Sequence, residues 1–152
     1  MKKEFVLLLH NIRSRFNVGA IFRTADAAGI SKIYLCGITP SPPHPKIDKV
    51  ALGAEKYISF EKYKQTARLV NEVKAKGFYI IALEQSEKSI SYYKFKPRFP
   101  LALVLDSEVK GLPSKLLKLC HKIMEIPMFG KKESLNVAVA GGIVCFEIIK
   151  YK

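Results

Sequence analysis

The stretch Ile126-Pro-Met-Phe-Gly-Lys-Lys-Glu-Ser-Leu-Asn-Val-Ala-Val-Ala-Gly-Gly-Ile-Val-Cys-Phe-Glu-Ile-Ile149 joins the end of an apolar strand, a polar loop and a helix that is apolar nearly all round. Ser134 is predicted to cap this helix, which runs from Leu135 to Ile149. Because only Asn136 and Glu147 in it are strongly polar, the helix should be covered on more than one side. Two interpretations are open: a central helix of a monomer, or a homodimer interface with a ligand loop at its head.

The composition indicates a folded, basic protein. The chain has 152 residues, 49% of them hydrophobic, which excludes a disordered chain and predicts one domain with a sizeable core. There are 26 Lys and Arg against 13 Asp and Glu, a formal net charge of +13, and the basic residues are scattered along the chain. This charge favours a polyanionic partner, with RNA or DNA as the first candidates. A merely soluble basic protein is the alternative.

The cysteines and histidines indicate neither a disulfide framework nor a metal site. Cys36, Cys120 and Cys145 are odd in number, lie in apolar contexts and lack CxxC spacing, so we interpret them as reduced core thiols. No signal peptide precedes Phe5, and no apolar run is long enough to cross a bilayer. The sequence therefore predicts a cytoplasmic protein without metal or membrane association.

Segments with strand and helix patterns alternate along the chain. The runs 5–9 and 101–105 are continuously apolar, which is typical of strands covered on both faces of a parallel sheet. Residues 61–76 are predicted to form an amphipathic helix, residues 84–96 to be irregular, and residues 39–45, with four prolines, to form a stiff surface loop. This alternation predicts an α/β protein with a mostly parallel sheet and helices on both faces.

Arginines and asparagines precede and open the first predicted helix. Asn17 is a reasonable N-cap, and the apolar residues after it form a stripe with helical spacing that ends near Gly29. Arg13 and Arg15 come just before the helix, and Arg23 points away from the stripe. Free N–H groups and cationic side chains suit an anion site, so these arginines are candidates for contact with RNA. A solvated basic face is the alternative.

An acidic segment follows the second apolar strand. Asp106, Glu108 and Gly111 lie where the strand reaches its carboxyl end, which is the edge where parallel α/β sheets bind ligands. A metal site, an acid/base pair, a cofactor cradle and a plain polar turn are all open. A metal would need a third ligand, and the sequence indicates none.

Three segments resemble motifs of the SpoU/TrmH-type RNA 2'-O-ribose methyltransferases, members of the SPOUT superfamily. Asn17-Val-Gly-Ala-Ile-Phe-Arg23 matches the first motif, Glu108 with Gly111-Leu112 the second, and Ile126-Pro-Met with Ser134-Leu-Asn-Val-Ala-Val-Ala140 the third. The resemblance covers the chain almost end to end. It implies an α/β knot, a deep C-terminal trefoil in which the chain after the second motif passes through an earlier loop, and a homodimer through the C-terminal helix.

The resemblance also implies a site for S-adenosyl-L-methionine, held largely by main chain. The implied cofactor-binding residues are Leu83, Asp106, Glu108, Gly111, Ile126, Met128, Ser134, Leu135 and Asn136. The implied catalytic residues are Arg23, Asn17, Glu108, Ser134 and Asn136. Asp106 stands where the family usually has glycine, and three roles are open for its carboxylate: a bond to the adenosine ribose, attraction of the sulfonium, or exposure to solvent.

The function that the resemblance implies is methyl transfer to a ribose 2'-hydroxyl of RNA, with tRNA as the first candidate substrate and ribosomal RNA as the second. Residues 1–152 would form a single SPOUT methyltransferase domain without an appended RNA-binding domain. A catalytically inactive basic RNA-binding module of the same fold is the alternative. A nucleotide-binding oxidoreductase is disfavoured, because the chain has no Gly-x-Gly-x-x-Gly fingerprint.

Overall fold

The structure is a computed structural model and describes residues 3–107 and 111–152. The strands are β1 (Phe5–His10), β2 (Lys32–Cys36), β3 (Ser59–Tyr63), β4 (Tyr79–Leu83), β5 (Ile90–Ser91), β6 (Leu101–Asp106) and β7 (Lys122–Glu125). The helices are α1 (Arg15–Ala28), α2 (Pro45–Ala51), α3 (Thr66–Ala75), α4 (Ser114–Leu117) and α5 (Val137–Ile149). Short 3₁₀ helices are formed by Ala54–Lys56 and Tyr92–Lys94.

Seven strands of the described residues form one sheet, in the order β3-β2-β1-β6-β4-β7-β5. Every strand pairing that the structure describes is parallel. The central pair, β1 and β6, is aligned from Phe5 opposite Leu101 to His10 opposite Asp106. Parallel strands bring their carboxyl ends to one edge, where β6, β4 and β7 end side by side. The predicted α/β class with a mostly parallel sheet is confirmed.

Helices cover both faces of the sheet, also as predicted. From β1, Phe5, Leu7 and Leu9 pack into a core with α1, α2 and α5. Val6 and Leu8 point the other way, into a second core with α3 and α4. Because all of these side chains are at most 3% exposed, the strand has no solvated face. This explains the continuous apolar run in place of an alternating pattern.

The caps of α1 and α5 differ from the prediction. Ser14 caps α1, and its Oγ accepts the backbone N–H of Asn17 at 3.1 Å, so Asn17 lies in the first turn. Asn136 caps α5, and its Oδ1 accepts the N–H of Ala138 at 2.8 Å, so Ser134 is not the cap. Serine and asparagine cap helices about equally well. The residue that becomes the cap is the one whose side-chain oxygen can accept a backbone N–H from the first turn, two or three residues further along the chain.

Three other segments also differ. Residues 61–63 belong to β3, which pairs with β2, so α3 begins only at Thr66. Here pairing with a neighbouring strand overrides local helical pattern. Pro45 opens α2 instead of ending a loop, since proline at the first helical position leaves no N–H group unsatisfied. The segment predicted to be irregular contains β5 and the second 3₁₀ helix.

One side of α5 packs closely on the rest of the chain. A Cβ at Gly141 would lie 3.0 Å from Cδ1 of Leu105 in β6, and Gly142 faces Thr24 of α1. The two glycines therefore allow neighbouring elements to approach the middle of the helix. On its other side, α5 exposes Val139 by 52%, Ile143 by 37% and Phe146 by 47%. Within the described ranges, no helix has the length and apolar character that crossing a membrane requires.

Candidate active site

A cavity of about 320 Å³ opens at the carboxyl edge of the sheet. The ends of β4, β6 and β7 line it, together with the segment that joins β7 to α5 and the first turn of α5. This is the edge where open α/β sheets bind ligands, and the volume suits a small molecule. Its apolar lining consists of Leu83, Leu105, Ile126, Met128, Leu135, Val137 and Ala140.

The polar wall of this cavity is acidic, although the chain carries a formal charge of +13. Its carboxyl groups among the described residues are those of Glu84, Asp106, Glu125 and Glu133. Burial, and then the neighbouring Glu84 carboxylate, raise the pKa of Asp106 to about 7. A carboxyl group with such a pKa is partly protonated at neutral pH, so it can both donate and accept hydrogen bonds. The wall therefore suits hydroxyl groups and cationic groups.

The side chain of Glu84 is hydrogen-bonded to the main chain between β6 and α4. Its Oε2 accepts the backbone N–H of Leu112 at 2.6 Å. Gly111, the residue before, has a φ of +69°, and a Cβ there would lie 2.9 Å from the same Oε2. A residue with a side chain would be strained by its backbone and would clash with the carboxylate, so this position requires glycine.

The cavity brings together most of the residues predicted to bind the cofactor. Those that line it are Leu83, Asp106, Gly111, Ile126, Met128, Ser134 and Leu135. Asn136 is not part of the lining. Glu108, predicted to be both catalytic and cofactor-binding, lies outside the described residues.

Asn17 and Asn136 contact each other. The Nδ2 of Asn136 donates to Oδ1 of Asn17 at 3.1 Å, while Oδ1 of Asn136 caps α5. This bond joins the first turn of α1 to the start of α5 across 119 positions of sequence. Two residues from different motifs therefore hold together the two helices that border the site.

The predicted arginines are all exposed. Arg13 precedes α1, Arg15 opens it, and Arg23 lies two turns further along. None of them lines the cavity of its own chain. Arg23 is instead beside Ala20 and Thr24, which line a separate apolar depression between α1 and α5. The structure thus places Arg23 on the outer face of α1.

This α1–α5 depression measures about 620 Å³ and is lined by Phe16, Ala20, Thr24, Asn136, Ala138, Val139, Gly142 and Ile143. Phe16 at its border is 63% exposed. The cavity and the depression lie on different sides of the start of α5, because Val137 and Ala140 line the first and Ala138 and Val139 the second. Contiguous exposed apolar surface of this kind marks an interaction surface.

Sequence reasoning missed part of the cavity wall. Glu84 and Glu125 directly follow or end the strands β4 and β7, and neither belongs to a recognised motif. The available signal was their position at the ends of predicted strands, where ligands bind in this class of fold. Glu133, in the loop before α5, and Gln85, which follows Glu84, complete the missed polar lining.

The part of the site that the structure describes offers neither a cluster of metal ligands nor a reactive thiol. Within the described ranges, no group of three or more His, Cys, Asp or Glu residues has the arrangement to hold a metal ion. Burial raises the pKa of Cys36 and of Cys145 to about 12, and that of Cys120 to about 11. Thiols with such pKa values stay protonated and are poor nucleophiles.

The raised pKa of Asp106 predicts a pH dependence of stability. The pKa is about 7 in the folded chain and near 4 in an unfolded one, so between these values the folded state binds more protons. Stability therefore falls as pH rises from about 4 to about 7, and Asp106→Asn should remove this part of the fall. We expect the melting temperature of Asp106→Asn to drop less than that of wild type between about pH 5 and about pH 8. Asp26→Asn, on the exposed face of α1, is the matched control. Equal drops in wild type and Asp106→Asn would contradict the prediction.

Comparison with known proteins places this geometry in a family. The model of the SpoU rRNA Methylase family matches residues 4–146. The tRNA (guanosine(18)-2'-O)-methyltransferase of Aquifex aeolicus is 31% identical over 147 residues, covering 96% of this chain and 69% of that protein. The 23S rRNA (guanosine-2'-O-)-methyltransferase RlmB of Vibrio parahaemolyticus is also 31% identical, over 97% of this chain and 59% of its own length.

Among solved structures, the AdoMet-bound rRNA methyltransferase from Sinorhizobium meliloti superposes with a TM-score of 0.90 at 31% identity, covering 97% of this chain and 56% of that one. The chain thus spans little more than half the length of that enzyme. The match to the family model, over residues 4–146, nevertheless includes all three motif regions and every strand of the sheet described above. The chain belongs to the SpoU rRNA Methylase family.

Proposed function

We propose that this protein transfers a methyl group from S-adenosyl-L-methionine to a ribose 2'-hydroxyl of RNA, with tRNA as the first candidate substrate and ribosomal RNA as the second. The observation that carries the proposal is the cavity at the carboxyl edge of the sheet, which the end of β4 lines together with residues of the second and third motif regions. Two relatives at 31% identity are named as guanosine 2'-O-methyltransferases, one of tRNA and one of 23S rRNA. The net charge of +13 supports a polyanionic substrate.

The residues of the cavity fit the cofactor. Apolar side chains such as Leu83, Ile126 and Leu135 suit the adenine ring, and the carboxyl groups of Glu84 and Asp106 suit ribose hydroxyls or cationic groups. A Cβ at Gly111 would meet the Glu84 carboxylate, so the glycine allows the main chain to come close to this carboxylate in the cavity wall. When bound, this cofactor supplies a methyl group on a positively charged sulfur.

The chain's own residues must orient the ribose and stabilise charge. A 2'-hydroxyl is a weak nucleophile, so its oxygen has to be held in line with the methyl carbon while its proton leaves to solvent water and negative charge develops on the oxygen. A guanidinium is effectively always protonated in proteins, so we assign Arg23 to holding phosphate and stabilising the developing alkoxide, not to taking up the proton. The Asn17–Asn136 bond fixes α1, and with it Arg23, relative to α5. Ser134, which is exposed at the cavity, and Glu108 are assigned to orienting ribose and cofactor.

We propose that the protein is a homodimer in which a second copy covers the α1–α5 depression. The depression and the exposed side chains of α5 are apolar, and Arg23 lies at their border. Since the start of α5 lines both the depression and the cavity, a second copy seated on the depression would bring a second Arg23 towards the cavity. This accounts for an arginine with an assigned catalytic role that does not line the cavity of its own chain.

The α/β knot, the single domain and the cytoplasmic location are further proposals. Strand β6 is inserted between β1 and β4, and the chain then returns to place α5 against both β6 and α1, which supports passage through an earlier loop. An experimental backbone trace that closes without a knot would contradict this. The free cysteines agree with a reducing compartment.

The proposed function is tested by incubating the purified chain with isotope-labelled S-adenosylmethionine and unmodified transcripts, one set of tRNAs and one of ribosomal RNA. Digestion to nucleosides and mass spectrometry should find the label on ribose, in 2'-O-methyl nucleosides, with tRNA as the better substrate. A label found only on bases would overturn the reaction class. Cofactor binding without transfer to either RNA would reject the proposed reaction, and absence of cofactor binding would favour the inactive RNA-binding module.

A further inference from the structure

Glu84 connects three parts of the cavity wall that are distant in sequence. Its backbone N–H donates to the carbonyl of Met124 in β7 at 2.9 Å, which anchors it at the end of β4. Its side-chain Oε2 accepts the N–H of Leu112 at 2.6 Å, 28 positions further along the chain. Leu112 is 6% exposed, so the bonded main chain is held down on the protein and is not free in solvent. One residue therefore ties the carboxyl edge of β4 and β7 to the main chain that follows β6.

The bond lies directly beside the cavity. Glu84 and Gly111 both line it, and the residue after Gly111 donates the hydrogen bond. The positive φ of Gly111 and the missing Cβ let the main chain approach the carboxylate this closely. A hydrogen bond to an ionised acceptor is among the stronger ones in proteins, and here it fixes a stretch of wall without regular secondary structure.

We propose that Glu84 is a positioning residue of the cofactor cavity, which holds Gly111 and Leu112 in the geometry that the cofactor needs. The inference rests on the proposed function and deepens it. Glu84 acts through the main chain at Leu112, so its removal should weaken cofactor binding more than it slows the methyl-transfer step. After the burial of Asp106 itself, the Glu84 carboxylate is the next cause of the raised pKa of Asp106. The Glu84 side chain therefore also affects the electrostatics of the same wall.

Two substitutions separate the hydrogen bond from the charge. Glu84→Ala removes both, whereas Glu84→Gln keeps an oxygen that can accept the Leu112 N–H and removes only the charge. Glu125→Ala is the matched control, since it takes a carboxylate from the same cavity but leaves the bond to Leu112 in place. Amide hydrogen exchange of Leu112, followed by NMR without any cofactor, reports the bond directly.

We expect Leu112 to exchange at least about tenfold faster in Glu84→Ala and to stay near the wild-type rate in Glu84→Gln and Glu125→Ala. S-Adenosylhomocysteine should bind Glu84→Ala about tenfold more weakly, with substantial recovery in Glu84→Gln. In kinetics, Glu84→Ala should raise KM for the methyl donor while kcat changes little. If Glu84→Ala fails to fold, Gly111→Ala tests the same close contact from the other side, in the wild-type chain and in Glu84→Gln. In both backgrounds the Leu112 amide should lose its protection against hydrogen exchange.

Unchanged Leu112 exchange in Glu84→Ala would overturn the proposal, as would a Glu84→Gln variant that binds as weakly as Glu84→Ala, because the charge alone would then matter. An equal loss of Leu112 protection in Glu125→Ala would do the same. The exchange measurement needs neither cofactor nor RNA. If it follows the expected pattern while no 2'-O-methyl nucleoside forms, the proposed function fails and the role of Glu84 in holding the wall stands.

Discussion

Replacing Arg23 by alanine is expected to lower the rate of methyl transfer by at least about a hundredfold, the effect typical of removing one group that stabilises developing charge. Affinity for S-adenosylhomocysteine should change little, because Arg23 does not line the cavity of its own chain. Single-turnover transfer to RNA and calorimetric titration of the cofactor product measure the two effects separately. Arg23 is exposed on α1, so its replacement removes no core contact and should leave the fold intact.

Arg23→Lys should be nearly as slow as Arg23→Ala. Lysine keeps the charge but lacks the planar fork with which a guanidinium binds phosphate through two parallel bonds. Arg68→Ala is the matched control, because Arg68 is an exposed arginine on α3 whose contact is a surface ion pair with Glu72. If Arg23→Lys kept most of the wild-type rate, a point charge would be sufficient and the assigned role of the guanidinium would be wrong.

Val139→Asp is expected to convert the proposed dimer into a monomer. Val139 is 52% exposed in the single chain and lines the α1–α5 depression, so the substitution should leave the fold intact and place an unpaired carboxylate in the interface. Burying such a charge costs on the order of 4 kcal/mol, roughly a thousandfold in the dissociation constant. Light scattering at micromolar concentration should show the monomer, and methyl transfer should fall with it if a second copy completes the site.

Tyr57→Asp is the control for the dimer. Tyr57 is 79% exposed but follows the first 3₁₀ helix, and it does not line the depression, so its replacement should leave the dimer unchanged. A wild-type chain that is monomeric at micromolar concentration would reject the dimer outright. Dissociation by Tyr57→Asp but not by Val139→Asp would place the interface elsewhere.

The sequence by itself determined the class of fold and the main elements. Continuous apolar runs predicted β1 and β6 because a strand buried on both faces needs no polar side chain. Helical spacing predicted α1, and a polar loop followed by a run that is apolar nearly all round predicted α5. The resemblance to the family, carried by the sequence motifs, also implied a large part of the cavity lining, from Leu83 to Leu135. These features follow from local pattern, which each segment carries within a few residues.

Only the tertiary structure decided which residues cap the helices, the bond between Glu84 and Leu112 in the cavity wall, and the position of Arg23 outside the cavity. The cap of α1 is Ser14 and not Asn17, and the cap of α5 is Asn136 and not Ser134. Because these side chains differ little in capping strength, the packed geometry at the start of each helix decides which of them is the cap. Glu84 reaches Leu112 because β4 and β6 are neighbours in the sheet, although 28 positions separate the two residues in the chain. Arg23 lies outside the cavity because α1 turns that face away from its own chain. Such contacts depend on strand order and helix docking, which short-range sequence patterns do not encode.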